Sequence, residues 1–168
     1  QSQSNEDSYI DIIVANCCVY GGEGVTPIRL WCQKGKHNIS FANNVIEPIY
    51  DTPKTIYITS SDAANIIFKG NSFILEKSDF SSALFDMSGG ATIQFEGNNV
   101  TVSGDAESSV ETYCLFVSTN SILMVANNCF VIDIANLNNV YGFRLISCNL
   151  QFVGNIIRYL SSQSNYYC

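Results

Sequence analysis

Short runs of alternating apolar and polar residues recur along this chain and lead into a repeated F-x-x-N tetrapeptide. In the second copy, for example, Ile39 and Phe41 stand two residues apart, and after the third copy Phe73 and Leu75 do the same. Alternation with a period of two is typical of a half-buried β-strand. Turn-forming Gly, Asn, Ser and Asp separate the runs. The pattern therefore predicts many short strands and no helix of useful length.

The tetrapeptide itself returns at a nearly fixed spacing. Its six copies, of which the first is degraded to V-A-N-C, begin at Val14, Phe41, Phe68, Phe95, Val125 and Phe152. The steps between them are 27, 27, 27, 30 and 27 residues. A fixed period in this range indicates one supersecondary unit stacked on itself. Propeller blades need about 40 or more residues per repeat, and the leucine-rich-repeat framework is missing, so a parallel β-helix remains.

Stacking the copies brings like residues into columns. The motif column contains the aromatic residues Phe41, Phe68, Phe95 and Phe152. The last motif position is Asn44, Asn71, Asn98, Asn128 and Asn155, with Cys17 in the first copy. Nine or ten residues before the motif stands a further apolar column of Trp31, Ile58, Phe85, Phe116 and Phe143. We expect the apolar columns to stack inside the coil, and the Asn column to form an amide ladder that satisfies buried turn groups.

These columns predict an all-β fold. The expected architecture is a right-handed parallel β-helix, or solenoid, of about six coils with a 27-residue period. Residues 1–168 would form a single β-helix domain. No obvious polar cap closes either end, although repeat arrays normally need one. The domain is therefore expected to be either a segment of a longer solenoid or a subunit that stacks on its neighbours.

Charge excludes some classes of partner. Charged residues make up 14% of the chain, and the formal net charge is −7. Binding to a phosphate backbone needs a basic footprint, so no nucleic-acid partner is expected. No run of 18 apolar residues is present, so a membrane-spanning helix is not expected either. The one cationic cluster, Lys34 to His37, is interpreted as a solvated turn.

Few residue patterns point to chemistry. No nucleophile motif, phosphate-binding loop or zinc spacing is found, so we expect no catalytic residues, no cofactor and no metal. Asp51, Asp79 and Asp105 follow their motif residues by 10 or 11 positions, which would place them on one edge of successive coils. They are either a cation or acid–base site of a carbohydrate-active enzyme or a solvated acidic turn.

Two further features concern modification. Of the seven cysteines, only Cys17, Cys18 and Cys32 form a cluster that suggests a disulfide. Asn38 and Asn99 each begin an N-x-[ST] triplet and are candidate glycosylation acceptors in a eukaryotic secretory pathway.

The F-x-x-N repeats, together with Gly89-Gly90-Ala91 before Phe95, resemble the passenger domains of chlamydial polymorphic membrane proteins. Those passengers carry many FxxN and GGA(I/L/V) tetrapeptides on a right-handed β-helix and are exported autotransporter adhesins. This chain has a single GGA, followed by Thr92, and no C-terminal barrel. The resemblance implies a surface-displayed binding protein rather than an enzyme.

Three functions remain open on these grounds. The first is a secreted or cell-surface structural or adhesive protein that binds a host receptor or glycan through its exposed faces and turns, with Gly21 to Gly24 and Asp105 to Glu111 as candidate contact turns. The second is a filament subunit that assembles end to end with copies of itself. The third is a lyase-like or hydrolase-like carbohydrate-active β-helix.

Overall fold

The computed structural model describes residues 9–21, 26–32, 36–48, 55–60, 64–77, 83–105, 112–135, 139–160 and 165–167. These residues form 18 short strands, numbered β1 to β18 in chain order, and no helix. All recorded strand pairs are parallel. The strands lie in three sheets of six strands each, designated sheets A, B and C.

Each sheet takes every third strand of the chain. Sheet A contains β1 (Tyr9–Ala15), β4 (Lys36–Ala42), β7 (Ala64–Lys69), β10 (Thr92–Glu96), β13 (Ile122–Ala126) and β16 (Asn149–Val153). Sheet B contains β2 (Cys18–Gly21), β5 (Val45–Pro48), β8 (Ser72–Lys77), β11 (Asn99–Asp105), β14 (Cys129–Ala135) and β17 (Ile156–Tyr159). Sheet C contains β3 (Ile28–Cys32), β6 (Ile56–Ser60), β9 (Phe85–Gly89), β12 (Thr112–Thr119), β15 (Asn139–Ile146) and β18 (Asn165–Tyr167).

One strand from each sheet makes one coil, so the chain is a parallel β-helix, as the repeat predicts. In sheet A the register advances by one copy of the motif per strand: Val14 pairs with Phe41, and Phe41 pairs with Phe68. Four inner coils are covered by a coil on each side, and an end coil lies at either end of the stack. The all-β solenoid and its 27-residue period are confirmed, and its right-handed winding stays a prediction.

The corner between sheets A and B explains why the motif is so restricted. Its third residue has a positive φ in every copy, at 54° to 66° from Asn16 through Gly154, and it is always Asn or Gly: Asn16, Asn43, Gly70, Gly97, Asn127 and Gly154. The left-handed region costs most L-residues about 1–2 kcal/mol, and Gly and Asn are the residues that adopt it routinely. The motif is therefore better written F-x-[NG]-N.

Inside the coil, the three sheets share one contiguous apolar core. Phenylalanine rings from all three sheets meet there, for example Phe95 of sheet A, Phe73 of sheet B and Phe85 of sheet C, with centroids 5.2 to 5.5 Å apart. Phe41 stacks on Phe68 at 5.0 Å with an interplanar angle of 8°. The predicted motif column is confirmed in full, because each of its members pairs with the next.

The predicted column in sheet C is only partly right. Phe85, Phe116 and Phe143 pair with one another as expected. Ile58 is buried, but it pairs with Met87 instead of Phe85. Trp31 is misplaced altogether, since it faces outward with 68% of its surface exposed.

The reason for this error is that the spacing in sheet C is not 27 residues throughout. Phe85 stacks on Ile56, which stacks on Ile28, so the first two steps are 28 and 29 residues long. The corner before Phe116 is longer still, because Phe85 pairs with Phe116, whereas the neighbouring strands β10 and β13 keep a step of 30. The extra residues of the fourth repeat therefore lie between β11 and β12.

Candidate functional site

The asparagine column forms the predicted ladder. The backbone N–H of Asn44 donates to Oδ1 of Asn71 at 3.0 Å, and Nδ2 of Asn44 donates to the same oxygen at 3.0 Å. Asn71 repeats both bonds to Asn98. The pattern continues through Asn128 to Asn155.

Each ladder amide also joins the preceding coil. Nδ2 of Asn71 donates to the backbone carbonyl of Phe41 at 3.0 Å, and Nδ2 of Asn98 donates to that of Phe68. Both amide hydrogens and both lone pairs of the oxygen are thus used within the protein. Asn44, Asn71, Asn98 and Asn128 are buried. The ladder is a structural device, because no atom of these amides is left to recognise a ligand.

Functional contacts must therefore come from the outer faces, where side chains alternate with the core positions. Sheet C has the most distinctive outer face. Arg29 and Trp31 project from β3, and the next two strands place Tyr57 and then Asp86 beside Arg29 in register. The Arg29 guanidinium lies 6.0 Å from the Trp31 ring centroid and 5.5 Å from that of Tyr57. We call these four residues the Trp31 cluster.

A row of hydroxyl groups runs beside this cluster. Thr59 pairs with Trp31, Ser88 pairs with Thr59, and Thr119 pairs with Ser88. Ser88 donates to the carbonyl of Ile58 at 3.2 Å, whereas the buried hydroxyl of Thr59 has no hydrogen-bond partner. Parallel strands are about 4.8 Å apart, so the row places one small polar side chain at each such step.

Sequence reasoning missed the Trp31 cluster because aromatic residues were assigned to the core. A signal was nonetheless present in β3, where Ile28, Leu30 and Cys32 alternate with Arg29 and Trp31. Since residues two apart share a face, the exposed Arg29 already places Trp31 on the outside. The burial pattern of the strand agrees with this alternation.

The outer face of sheet A holds two adjoining shallow depressions of about 300 and 320 Å³. Asn38 and Asn65 line both, and Asp11 and Lys36 lie at opposite ends. The interpretation of Lys34 to His37 as a solvated turn is wrong for its second half. Lys36 begins β4, and His37 is buried with an unpartnered Nε2, because the strand alternation directs it inward.

The two glycosylation candidates occupy different environments. Asn99 is exposed at the start of β11, and Asn38 is half-buried in β4 between Asp11 and Asn65 of the neighbouring strands. Whether either is modified stays a prediction.

Several predicted features fall beyond what the structure describes. Asp51, Asp79, the turn 22–25 and residues 106–111 lie outside the described residues, and so does the side chain of Asp105. The carbohydrate-active enzyme that these aspartates suggest therefore stays a prediction. Within the described ranges, no cluster of three or more His, Cys, Asp or Glu residues that could hold a metal ion is present. The same ranges contain no helix long and apolar enough to cross a membrane.

The described cysteines are free thiols, namely Cys17, Cys18, Cys32, Cys129 and Cys148. Cys17 and Cys18 are exposed, whereas Cys32 is buried, and this burial raises the pKa of its thiol. A hydrogen bond with Cys18 is the main cause that raises the pKa of Tyr20 on the outer face of sheet B. The suspected bridge among Cys17, Cys18 and Cys32 is therefore not formed in this structure.

Comparisons of the chain with protein-family models, with curated proteins and with solved structures give no match.

Proposed function

We propose that this chain is an extracellular or cell-surface β-helix that acts as a structural or adhesive protein and binds a receptor or glycan through its outer faces. One observation carries the proposal: the columns that repeat face inward and are used in stacking, whereas the outer columns differ from coil to coil. On sheet C the outer residues beside Arg29 are Tyr57 and Asp86. A rigid scaffold with a variable surface is suited to recognition.

The chemistry of the outer faces also supports binding. Neutral polar side chains such as Asn65 and Gln94 stand on sheet A between exposed or half-exposed apolar ones such as Ile67. The described ion pair of Lys69 and Glu96, at 3.6 Å, lies on the surface and is worth little energetically. The resemblance of the F-x-x-N repeats to chlamydial adhesin passengers points in the same direction.

Retention on cells tests this proposal. The chain would be labelled with a fluorophore at its N-terminal amine and incubated with fixed epithelial cells over a range of concentrations. We expect saturable retention that an excess of unlabelled chain displaces. Retention that rises linearly and is not displaced would contradict an adhesive role.

The ends of the stack favour a second candidate, a subunit that assembles end to end. At one end Ile10, Ile12 and Ile13 are exposed, and at the other Leu150, Phe152 and Ile156 are exposed. An open sheet edge is a template for pairing with another chain, and a second copy would cover both the edges and these side chains. Sedimentation over a hundredfold range of concentration tests the idea, and a monomer throughout would rule it out.

A further inference from the structure

We propose that the Trp31 cluster is a binding site for an acidic glycan, in which the guanidinium of Arg29 binds a sugar carboxylate and the ring of Trp31 packs against the sugar. This inference rests on the proposed function and names the ligand class and the residues of one outer face. It is carried by four observations on sheet C.

The first observation is the exposure of Trp31. At 68% it is the most exposed large aromatic side chain among the described residues, and it projects from the middle of a sheet strand. Exposed aromatic rings are common at recognition sites, because they offer a rigid apolar face together with a polar N–H. A pyranose ring has an apolar face of C–H groups that matches such a ring.

The second observation is the position of Arg29 between two rings. Its guanidinium carbon lies 6.0 Å from the Trp31 centroid and 5.5 Å from the Tyr57 centroid, within cation–π range. Contacts of this kind use the flat face of the guanidinium and hold the side chain in one orientation. The N–H groups around its rim stay available, and they suit a carboxylate through two parallel hydrogen bonds.

The third observation is the charge of this face. In a chain of net charge −7, the described outer residues of sheet C include Arg29 and Arg144 but only one acidic residue, Asp86. Asp86 lies two strands from Arg29, about 9.6 Å along the stack. The positive end of the cluster therefore attracts an anion, and the carboxylate of Asp86 is placed to accept hydrogen bonds from sugar hydroxyls further along.

The fourth observation is the hydroxyl row beside the cluster. Thr59, Ser88 and Thr119 continue from Trp31 along the stack, and the hydroxyl of Thr59 has no hydrogen-bond partner. Their regular spacing suits a polymer that lies across the strands rather than a single small molecule. An acidic polysaccharide has both features, a repeated sugar face and a repeated carboxylate.

The chain supplies its own probe, because Trp31 is its one tryptophan. Intrinsic fluorescence would be followed while a hyaluronan octasaccharide is added, and the neutral control is the same octasaccharide with its carboxyl groups reduced to alcohols. We expect a saturable change in Trp31 emission and protection from acrylamide quenching with the acidic sugar. The neutral sugar should bind about tenfold more weakly or worse, because it cannot form the bidentate contact.

Variants separate the parts of the site when they are compared by calorimetry. Arg29→Gln and Trp31→Ala should each weaken binding about tenfold or more. Ile13→Ala, in the same coil but on the outer face of sheet A, should leave it within about twofold. Raising the salt concentration should weaken binding, because the charges are exposed. Circular dichroism of each variant confirms that it is folded.

The outcomes distinguish this inference from the proposed function. No change in Trp31 emission, equal binding of the reduced sugar, or equal losses in Ile13→Ala and Trp31→Ala would overturn the acidic-glycan site. If Trp31→Ala is retained on cells as the parent chain is, the adhesive role stands and the glycan inference fails. If the octasaccharide binds but cells do not retain the chain, the site stands and the adhesive role fails.

Discussion

Asn44 gives two hydrogen bonds to a single atom of Asn71, since its backbone N–H and its Nδ2 both donate to Oδ1 at 3.0 Å. Asn71 in turn donates to the carbonyl of Phe41 in the coil below and to Oδ1 of Asn98 in the coil above. One side chain thus joins three coils at a buried corner. This arrangement makes the ladder sensitive to changes that preserve shape but remove a donor or acceptor.

Replacing Asn71 with Ala should lower the free energy of unfolding strongly. The change leaves buried donors of Asn44 and a buried acceptor of Phe41 without their partner, and each such group costs about 1–3 kcal/mol. Asn155→Ala is the matched control, because Asn155 lies in the last coil, is only half-buried and donates to the carbonyls of Val125 and Val153. Urea unfolding should show the larger loss for Asn71→Ala, and equal losses would contradict the ladder as a source of stability.

Two glycines should differ sharply in their tolerance of a side chain. A Cβ at Gly89 would lie 1.7 Å from the carbonyl oxygen of Ser60, whereas a Cβ at Gly97 meets nothing within 4 Å. Both have positive φ, so Gly97→Ala should cost only about 1–2 kcal/mol of backbone strain. Gly89→Ala must in addition push two backbones apart and should be far more destabilising.

Thermal unfolding of both variants measures this difference. Gly97→Asn is a useful third variant, because Asn already occupies the same column at Asn43 and Asn127, and it should cost less than Gly97→Ala. A Gly89→Ala protein as stable as Gly97→Ala would show that the coils separate more easily than the close approach implies.

The most destabilising aromatic truncation should be at Phe95. Its ring centroid lies 5.2 to 6.3 Å from those of five other rings: Phe68, Phe73, Phe85, Phe116 and Phe130. Phe95→Ala should cost about 3–5 kcal/mol, the usual range for a buried Phe. Phe152→Ala is the comparison, because Phe152 belongs to the same column but is 38% exposed in the end coil. A loss at Phe152 as large as that at Phe95 would contradict this view of the core.

The sequence predicts the stacked columns well because stacking imposes its own repeat on the chain. In sheets A and B each predicted pair is found, for instance Val19 with Ile46 and Val125 with Phe152. Sheet C is harder, because the corners that precede its strands vary in length, and a fixed step of 27 therefore placed Trp31 one position away from the inward Leu30. An inserted residue in a corner costs little, whereas a shift of one residue within a strand exchanges its two faces.

The outer surface could not be read from the repeat, since it is the part that does not repeat. Arg29 and Tyr57 belong to different coils, and their contact depends on the register of β3 against β6. The left-handed column was accessible, however, because the third motif position is Asn or Gly in all six copies. Its significance lies in backbone conformation rather than in packing.

Expression in a eukaryotic secretory pathway should modify Asn99 in preference to Asn38. Asn99 is exposed on the outer face of sheet B, and its partner Thr101 is exposed as well. Asn38 is half-buried and lines both depressions of sheet A, so a glycan there would crowd its neighbours in β1 and β7. Mass spectrometry of tryptic peptides should find a higher occupancy at Asn99. Higher occupancy at Asn38 in the folded, secreted protein would refute this expectation.

Buried Cys32 should make stability depend on alkaline pH. Its pKa is raised in the folded state by burial, whereas in the unfolded chain the thiol ionises near pH 8.5. The raised folded value means that the folded state holds this proton more tightly. Its contribution to stability is therefore fully present below about pH 8.5 and is lost as the pH rises toward the folded pKa.

Cys32→Ala isolates this effect, because the other six cysteines titrate equally in both proteins. The parent should lose stability more steeply than Cys32→Ala between pH 8 and 10 in urea unfolding under reducing conditions. A maleimide probe at pH 7 should label exposed Cys17 and Cys18 at once, and Cys32 only after denaturation. Rapid labelling of Cys32 in the native protein, or parallel pH profiles for the two proteins, would show that this thiol is not held in the core.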